Sequence, residues 1–178
     1  MKNDTDNKLR LVHNNPHTLT NKTSFTAAYP GHVVTLSETD VPEYNRKGIE
    51  SDMRDHGKNI QWGDSISIDT KFGKTGRRVA IFSDAITANT DYHDKNDDPI
   101  LQMLRQSGRW TEVLVPVKDG SEAMYVATLY GISGANQNQN KYRENEILIA
   151  ASLIRMNSSR TSLTSLLVIS MLQSVSLP

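Results

Sequence analysis

Cysteine is absent from the sequence, which excludes disulfide bridges, a thiol nucleophile and a zinc site built on thiolates. Aromatic side chains are scarce, at 6% of the 178 residues, and the mean hydropathy of −0.52 is that of a somewhat polar chain. No apolar stretch approaches the roughly 18 residues that a membrane-spanning helix needs. The sequence therefore predicts a globular protein with long loops and no membrane span.

Net charge is absent as well, because 20 Lys and Arg balance 20 Asp and Glu. This excludes a basic footprint for nucleic acid over the whole chain, but it leaves room for a local basic patch. The phosphate-loop motif G-x-x-x-x-G-K-[ST] and the zinc motif H-E-x-x-H are both missing. The opening residues, MKNDTDNKLR, lack the apolar segment of a signal peptide, which favours an intracellular protein.

The length suits one domain with a sizeable core, divided here into three regions. A polar extension spans 1–8, the domain spans 9–156, and a Ser/Leu-rich tail with one Arg and no acid spans 157–178. Alternating strand and helix patterns in the domain predict an α/β fold with a mixed sheet. The predicted strands are LRLVH, VVTL, NIQWG, RVAIFS, RWTEVLVPV, AMYVATLYG and, in the tail, SLLVIS.

Four helices and one hairpin complete the prediction. The helices are NKTSFTAAY, DVPEYNRKGIESDMRDHG, PILQMLRQSG and KYRENEILIAASLIRM. In the second of these, Asp40 is predicted to cap the N-terminus and Gly57 to end the helix. In the third, Pro99 is expected at the start and Gly108 after the end. The Asp-Gly pair in KDGSE predicts a hairpin between the fifth and sixth strands.

The stretch VVTLSETD places Glu38 just after a buried strand, where open α/β sheets hold ligands and chemistry. A carboxylate in such a place is either a metal ligand or an ordinary exposed residue beside a helix cap.

Four segments in this order resemble one protein family. They are NPHTL, VVTLSETD, GRRVAIFS and YVATLYGISGA, and they look like the N-terminal half of the endonuclease/exonuclease/phosphatase superfamily over 9–156. The resemblance implies part of a two-sheet α/β sandwich, with mixed and antiparallel strands flanked by helices. It also implies a deoxyribonuclease-like phosphoesterase that uses Mg²⁺ or Mn²⁺ to hydrolyse nucleic acid or another phosphate ester.

The same resemblance gives three residues a role. Asn15 matches the asparagine that orients the metal-bound acid and the phosphate, and Leu19 favours this register over one on Asn14. Glu38 matches the metal-binding glutamate, and Tyr130 matches a tyrosine that hydrogen-bonds the phosphate. The structural alternatives are a turn residue before Pro16 for Asn15 and a core-edge aromatic for Tyr130. Ser37 stands where the family usually has glutamine.

The later part of the family pattern is missing. Complete relatives carry a Gly-Asp-x-Asn segment and an Asp-His pair, whereas this sequence has no Asp after Asp119 and no His after His93. The segment LLVISMLQ places Ser170, Met171 and Gln173 where Gly, Asp and Asn are expected. We therefore expect weak cation binding and little activity from the chain alone. Loss of a second sheet would also leave an apolar face for self-association.

Alternatives to this reading remain open. The chain could be a non-catalytic nucleic-acid or protein-binding module, or a hydrolase that takes acids from the loop at 91–98 or from a partner chain. Basic residues near a Gly-containing loop could contact a phosphate backbone or belong to an ordinary charged surface; they are Lys71, Lys74, Arg77 and Arg78.

Overall fold

The computed structural model describes residues 10–29, 32–69, 74–83, 98–116, 123–132, 134–158 and 165–170, and these form two β-sheets. The first sheet contains five strands in the order β1-β2-β5-β3, with β4 also paired to β5. Its strands are β1 (Leu11–Asn14), β2 (Val33–Pro42), β3 (Asn59–Trp62), β4 (Ile66–Asp69) and β5 (Lys74–Ser83). The β1–β2 pair is parallel and the other pairs are antiparallel.

The second sheet contains three strands in the order β6-β7-β8. They are β6 (Trp110–Pro116), β7 (Ala123–Tyr130) and β8 (Ser165–Ser170). The predicted β6–β7 hairpin is confirmed as an antiparallel pair, while its KDGSE turn lies outside the described residues. Strand β8 runs parallel to β7, so residues 165–170 of the predicted tail belong to this sheet, while 157–158 are the end of helix α4 (Gln139–Ser158).

Helices cover the outer face of each sheet. On the first sheet, α1 (Thr23–Ala27) and α2 (Arg46–Asp55) pack over β2 and β5 in a cluster that includes Met53, Leu36 and Phe82. On the second, α3 (Pro99–Gln106) and α4 (Gln139–Ser158) pack over Tyr125, Ala127 and Leu129 of β7. Within the part of the chain that the structure describes, no helix is long and apolar enough to cross a membrane.

The inner faces of the two sheets meet in a separate apolar cluster. Its members are Val33 and Ile81 from the first sheet and Val113, Val115, Met124 and Val126 from the second. Because strand side chains alternate between faces, the neighbours of Val33 and Ile81 in sequence point to the helices instead. The expected class, a two-sheet α/β sandwich flanked by helices, is confirmed.

Three details differ from the sequence prediction, the first being that strand β4 was not predicted. The second sheet is present and covers the inner face of β2 and β5 where this cluster forms. The uncovered apolar face from which self-association was predicted is therefore not found at this place, and self-association stays a prediction. The helix predicted from Asp40 begins only at Arg46, because β2 continues to Pro42 and a short 3₁₀ turn at Glu43–Asn45 follows. Pairing of Pro42 with Gly76 of β5 extends the strand and so replaces the predicted cap.

Helix ends elsewhere follow the predicted chemistry. Gly57 and Gly108 have φ angles of 70° and 62°, the left-handed conformation that glycine adopts readily after a helix. Asp98 caps α3, since its Oδ1 accepts hydrogen bonds from the backbone N–H groups of Ile100 and Leu101 at 2.9 and 3.2 Å.

Candidate functional site

A bulge interrupts β2 at the residues that the sequence prediction singled out. Ser37 pairs with Val79 and Val41 pairs with Arg77, so the three residues between them on β2 face only one on β5. Glu38 and Asp40, inside the bulge, have positive φ angles of 52° and 39°. Bulges and non-glycine residues at positive φ cost conformational energy and occur disproportionately near functional sites, where they redirect side chains.

Hydrogen bonds from Thr39 hold the bulge in place. Its Oγ1 donates to the carbonyl oxygen of Arg77 at 2.7 Å, and its carbonyl oxygen accepts from the backbone N–H of Leu19 at 2.9 Å. The second bond ties the loop after β1 to the bulge. Glu38 and the residues that follow β1 are therefore held beside one another.

The carboxylate of Glu38 joins the two sheets. Tyr130, the last residue of β7, donates its hydroxyl to Glu38 Oε1 at 2.6 Å. Both residues are buried, with Glu38 9% and Tyr130 2% exposed. The contact lies where β2 and β7 reach the same end of the sandwich, between residues 92 positions apart in sequence.

Asn15 and His17, which follow β1, contact the same carboxylate. Asn15 Oδ1 accepts the backbone N–H of His17 at 3.1 Å, and the Asn15 side chain lies close enough to Glu38 to help lower the pKa of that carboxylate. His17 Nδ1 lies 2.7 Å from Glu38 Oε2, close enough for an ion pair. The His17 ring is not well aligned for a hydrogen bond, however, so the buried Oε2 has no aligned hydrogen-bond donor among the described residues.

These neighbours keep Glu38 ionised despite its burial. Burial alone would raise the pKa of Glu38, but the hydrogen bonds from Tyr130 and Asn15 and the nearby His17 outweigh that effect and lower it. A carboxylate that stays anionic in a buried place is suited to binding a cation.

Replacing Tyr130 with phenylalanine is expected to raise the pKa of Glu38, because the change removes a donor to the carboxylate but keeps the ring. A depressed folded-state pKa contributes stability above the ordinary value of 4.5, and this is lost as the pH falls through the folded-state pKa. The variant should therefore lose less stability than the wild type on acidification. A carboxyl-carbon NMR titration of Glu38 measures the shift directly. The exposed Tyr44→Phe change is the control, and an identical Glu38 titration in all three proteins would contradict the assignment.

Two arginines lie beside the acids. The guanidinium carbon of Arg109 is 5.1 Å from the centre of the Tyr130 ring, and its Nη1 donates to the carbonyl oxygen of Gly131 at 2.7 Å. Arg78, opposite the bulge, has its Nε 3.9 Å from Asp40 Oδ1, too far for a hydrogen bond.

Burial and, to a smaller extent, the positive charge of Arg78 lower the pKa of Arg109. Burial raises the pKa of Asp40, and the negative charge of Glu38 adds to that rise while Arg78 opposes it. The site thus pairs acids that could hold a cation with guanidinium groups that could bind phosphate oxygens.

The structure brings all three sequence-predicted residues, Asn15, Glu38 and Tyr130, into contact. Glu38 belongs to the first sheet and Tyr130 to the second, and Asn15 directly follows β1. His17 and Arg109 were not singled out from the sequence. Two features of the sequence could have pointed to them. His17 lies two residues after Asn15, and Arg109 directly precedes β6, the strand that pairs with β7.

The remaining candidates divide into three cases. Arg77 is engaged in the fold, with its Nη1 donating to Gly63 O at 2.6 Å and its Nε 3.0 Å from Glu43 Oε2. Lys74 belongs to β5, but its side chain is outside the described part of the structure. Lys71 and the loop at 91–97 also lie outside it.

A divalent cation fits this site only partly. The Oε2 of Glu38 is the observation that supports one, since this buried oxygen has His17 Nδ1 2.7 Å away but no well-aligned hydrogen-bond donor among the described residues, and a cation can take such a place. In the described ranges no group of three or more His, Asp or Glu side chains could surround an ion. Mg²⁺ wants about six ligands, so most would have to be water. Glu38 and Asn15 would hold such an ion weakly.

No protein-family model matches the sequence, and no curated protein matches it. Among solved structures, the fold is similar to an endonuclease/exonuclease/phosphatase family protein from Leptotrichia buccalis C-1013-b. The TM-score is 0.51 at 10% sequence identity, and the match covers 91% of this chain but 66% of the other. At that identity the likeness shows the fold alone. The chain thus has a fold similar to that of an endonuclease/exonuclease/phosphatase family protein and spans slightly less than two thirds of its length.

Proposed function

We propose that the chain carries the cation- and phosphate-binding part of a metal-dependent phosphoesterase or nuclease site. Glu38 binds a Mg²⁺ or Mn²⁺ ion, and Asn15 and Tyr130 contact the phosphate ester. The observation that carries the proposal is the contact between Glu38 and Tyr130, which unites residues from both sheets around one buried, ionised carboxylate. The fold likeness to a phosphoesterase-family protein supports the class.

Each side chain has a physical reason for its role. The ionised carboxylate of Glu38 is a hard oxygen ligand of the kind that Mg²⁺ and Mn²⁺ prefer. A bound cation would polarise a phosphoryl oxygen and offset its charge. Tyr130 supplies a hydroxyl donor at the same point, and the Asn15 amide supplies a second donor.

Arg78 adds a positive charge beside the bulge. Its side chain is 25% exposed, so its guanidinium group could meet a phosphate oxygen. Arg109 adds a second positive charge beside Tyr130, and a bound anion would offset the repulsion between the two guanidinium groups. A phosphate ester therefore suits this end of the sandwich better than a neutral ligand does.

A non-catalytic nucleic-acid-binding module is the second candidate, favoured by the same two arginines. In that case the arginines contact phosphates of the backbone and Glu38 serves only the fold. Affinity for DNA or RNA that is unchanged by Glu38→Ala would support this candidate over the first.

Calorimetric titration with Mg²⁺ and Mn²⁺ tests the first proposal. We expect one weak site in the wild type, with a dissociation constant above about 10⁻⁴ M because few protein ligands are available. Glu38→Gln, which keeps the shape and removes the charge, should abolish the binding. Asp52→Asn, on the exposed side of α2, should leave it unchanged. Equal binding by wild type and Glu38→Gln would sink the proposal, and a site of micromolar affinity or tighter would contradict its ligand set.

A further inference from the structure

We propose that His17 is a second ligand of the cation that Glu38 binds, so that the site prefers a transition ion such as Co²⁺ or Zn²⁺ to Mg²⁺. This rests on the proposed function, because it requires that a cation binds at Glu38. It goes further in naming a ligand that the family resemblance did not supply and in changing the class of metal.

The distance between the two donor atoms is the first support. His17 Nδ1 and Glu38 Oε2 are 2.7 Å apart. Two neighbouring ligands of one ion, each at about 2.0–2.1 Å, lie about 2.9 Å from each other at the right angle of an octahedral ion and about 3.3 Å at the tetrahedral angle usual for Zn²⁺. Both atoms could therefore bind one ion if the existing contact opened by a few tenths of an ångström.

The backbone holds the imidazole at this place. His17 has a φ angle of 57°, which is uncommon for a residue with a side chain, and its N–H is bound by Asn15 Oδ1 at 3.1 Å. Lys22 Nζ donates to the carbonyl oxygen of the preceding residue, Pro16. The loop thus accepts an unfavourable conformation in which the His17 ring faces the Glu38 carboxylate.

Glu38 is buried and His17 is exposed, and this difference suits a metal ion bound between them. The Glu38 side chain is 11% exposed, and its Oε2 has no aligned hydrogen-bond donor among the described residues. The His17 side chain is 72% exposed, so water can reach that side of the pair and complete the coordination sphere. Since no third His, Asp or Glu joins them in the described part of the chain, water would have to fill most of the remaining positions.

The chemistry of the donors sets the preference. Mg²⁺ favours oxygen ligands and gives up its waters reluctantly, whereas imidazole nitrogen suits Zn²⁺, Co²⁺ and related ions. Any nitrogen and oxygen site binds later transition ions more tightly than earlier ones, so a preference for Zn²⁺ alone proves little. The informative quantity is the part of that preference that disappears with His17.

The test compares Co²⁺, Zn²⁺ and Mg²⁺ binding to the whole chain in four forms: wild type, His17→Ala, Glu38→Gln and His56→Ala. His56 is the matched control, an exposed histidine after α2 whose Nδ1 hydrogen-bonds the backbone carbonyl oxygen of Asp52 at 2.8 Å. Visible absorption of Co²⁺ and the ¹⁵N chemical shift of the His17 imidazole under Zn²⁺ report ligation without any assay of activity. Circular dichroism confirms that each variant is folded.

We expect His17→Ala to weaken Co²⁺ and Zn²⁺ binding by at least the ~10–100-fold that loss of a supporting residue costs at metal sites. Mg²⁺ binding should change little, and Zn²⁺ should shift the His17 Nδ1 resonance in the wild type. His56→Ala should behave as the wild type. An equal loss for all three ions in His17→Ala, or an unshifted His17 resonance under saturating Zn²⁺, would overturn the inference.

Glu38→Gln separates this inference from the proposed function. If Glu38→Gln abolishes binding of all three ions while His17→Ala changes none, the cation site stands and the His17 ligand is wrong. If Glu38→Gln changes none of them, or if the wild type binds none, both fail. A metal-free ion pair between His17 and Glu38 predicts this last result.

Discussion

Replacing Arg155 with methionine is expected to destabilise the fold by about 3–5 kcal/mol, the usual cost of removing one partner of a buried ion pair. Arg155 Nη2 lies 2.8 Å from Glu112 Oε1, and the two side chains are only 8% and 2% exposed. The variant would leave the Glu112 carboxylate buried without its counter-charge. Tyr125 and Trp110 would still donate to it, the latter at 2.9 Å, but neither carries a positive charge.

This ion pair fastens the helices to the sheet that carries Tyr130. Arg155 belongs to α4 and Glu112 to β6, and Arg155 Nη1 also reaches Asp98 Oδ2 at the start of α3, 3.1 Å away. Burial by itself would lower the pKa of Arg155, but the adjacent Glu112 reverses that effect and raises it. Burial and the negative charge of Glu112 both raise the pKa of Tyr125, which packs against the same carboxylate.

Denaturant unfolding measures the loss, and Arg105→Met provides the matched control. Arg105 also pairs with an acid, Asp64 at 3.3 Å, but these side chains are 37% and 42% exposed. We expect the control to cost less than about 1 kcal/mol because water screens an exposed pair. Replacing Glu112 with glutamine as well should recover part of the loss, because no charge is then left buried while the amide oxygen still accepts from Tyr125 and Trp110. Equal effects of Arg155→Met and Arg105→Met would contradict the account.

The second large effect concerns catalysis. We expect the isolated chain to hydrolyse phosphate esters only near the background rate. Strand β8 runs parallel to β7, and its last residue, Ser170, pairs with Tyr130. The sequence continues with Met171 and Gln173, which lie outside the described residues. A thioether and a neutral amide cannot take a proton from an attacking water as a carboxylate can.

The expected loss of rate follows from the two catalytic functions for which the sequence offers no residue at the expected positions. General acid–base assistance contributes ~10²–10⁴-fold, and a lost electrostatic donor costs ~10²–10³-fold. The two factors need not multiply, but loss of both leaves little catalysis beyond binding.

An assay with Mg²⁺ and Mn²⁺ on abasic-site duplex, plain DNA, RNA and a chromogenic phosphate ester checks this, with Glu38→Ala as the control. Robust turnover that disappears in Glu38→Ala would refute the prediction. It would mean that another acid, in the 91–98 loop or at Asp40, supplies the missing base.

Much of the fold could be predicted from local patterns. Apolar patterns identified seven of the eight described strands, with β4 missed, and the Asp-Gly turn signal identified the β6–β7 pair. Helix α3 was predictable at both ends because Pro99 and Gly108 act through their own backbone preferences. These features depend on residues close in sequence, where propensity is informative.

The candidate site could be predicted only in part. A family-like order of motifs pointed to Asn15, Glu38 and Tyr130, but not to the sheet from which each comes. The SETD segment has the composition of a turn and a helix cap, so nothing local signals that β5 pairs beyond it and makes a bulge. The link between Glu112 and Arg155 likewise depends on packing between residues 43 positions apart.

The most direct test of the central claim is whether a cation and a phosphate ester bind together at Glu38. Mn²⁺ shortens the ³¹P relaxation time of a phosphorus nucleus held close to it, so a dinucleotide monophosphate serves as the probe. We expect marked relaxation enhancement with the wild type and with Asp52→Asn, and loss of the protein-dependent enhancement with Glu38→Gln. An enhancement that is the same for the wild type and Glu38→Gln would show that the two ligands do not meet at this carboxylate.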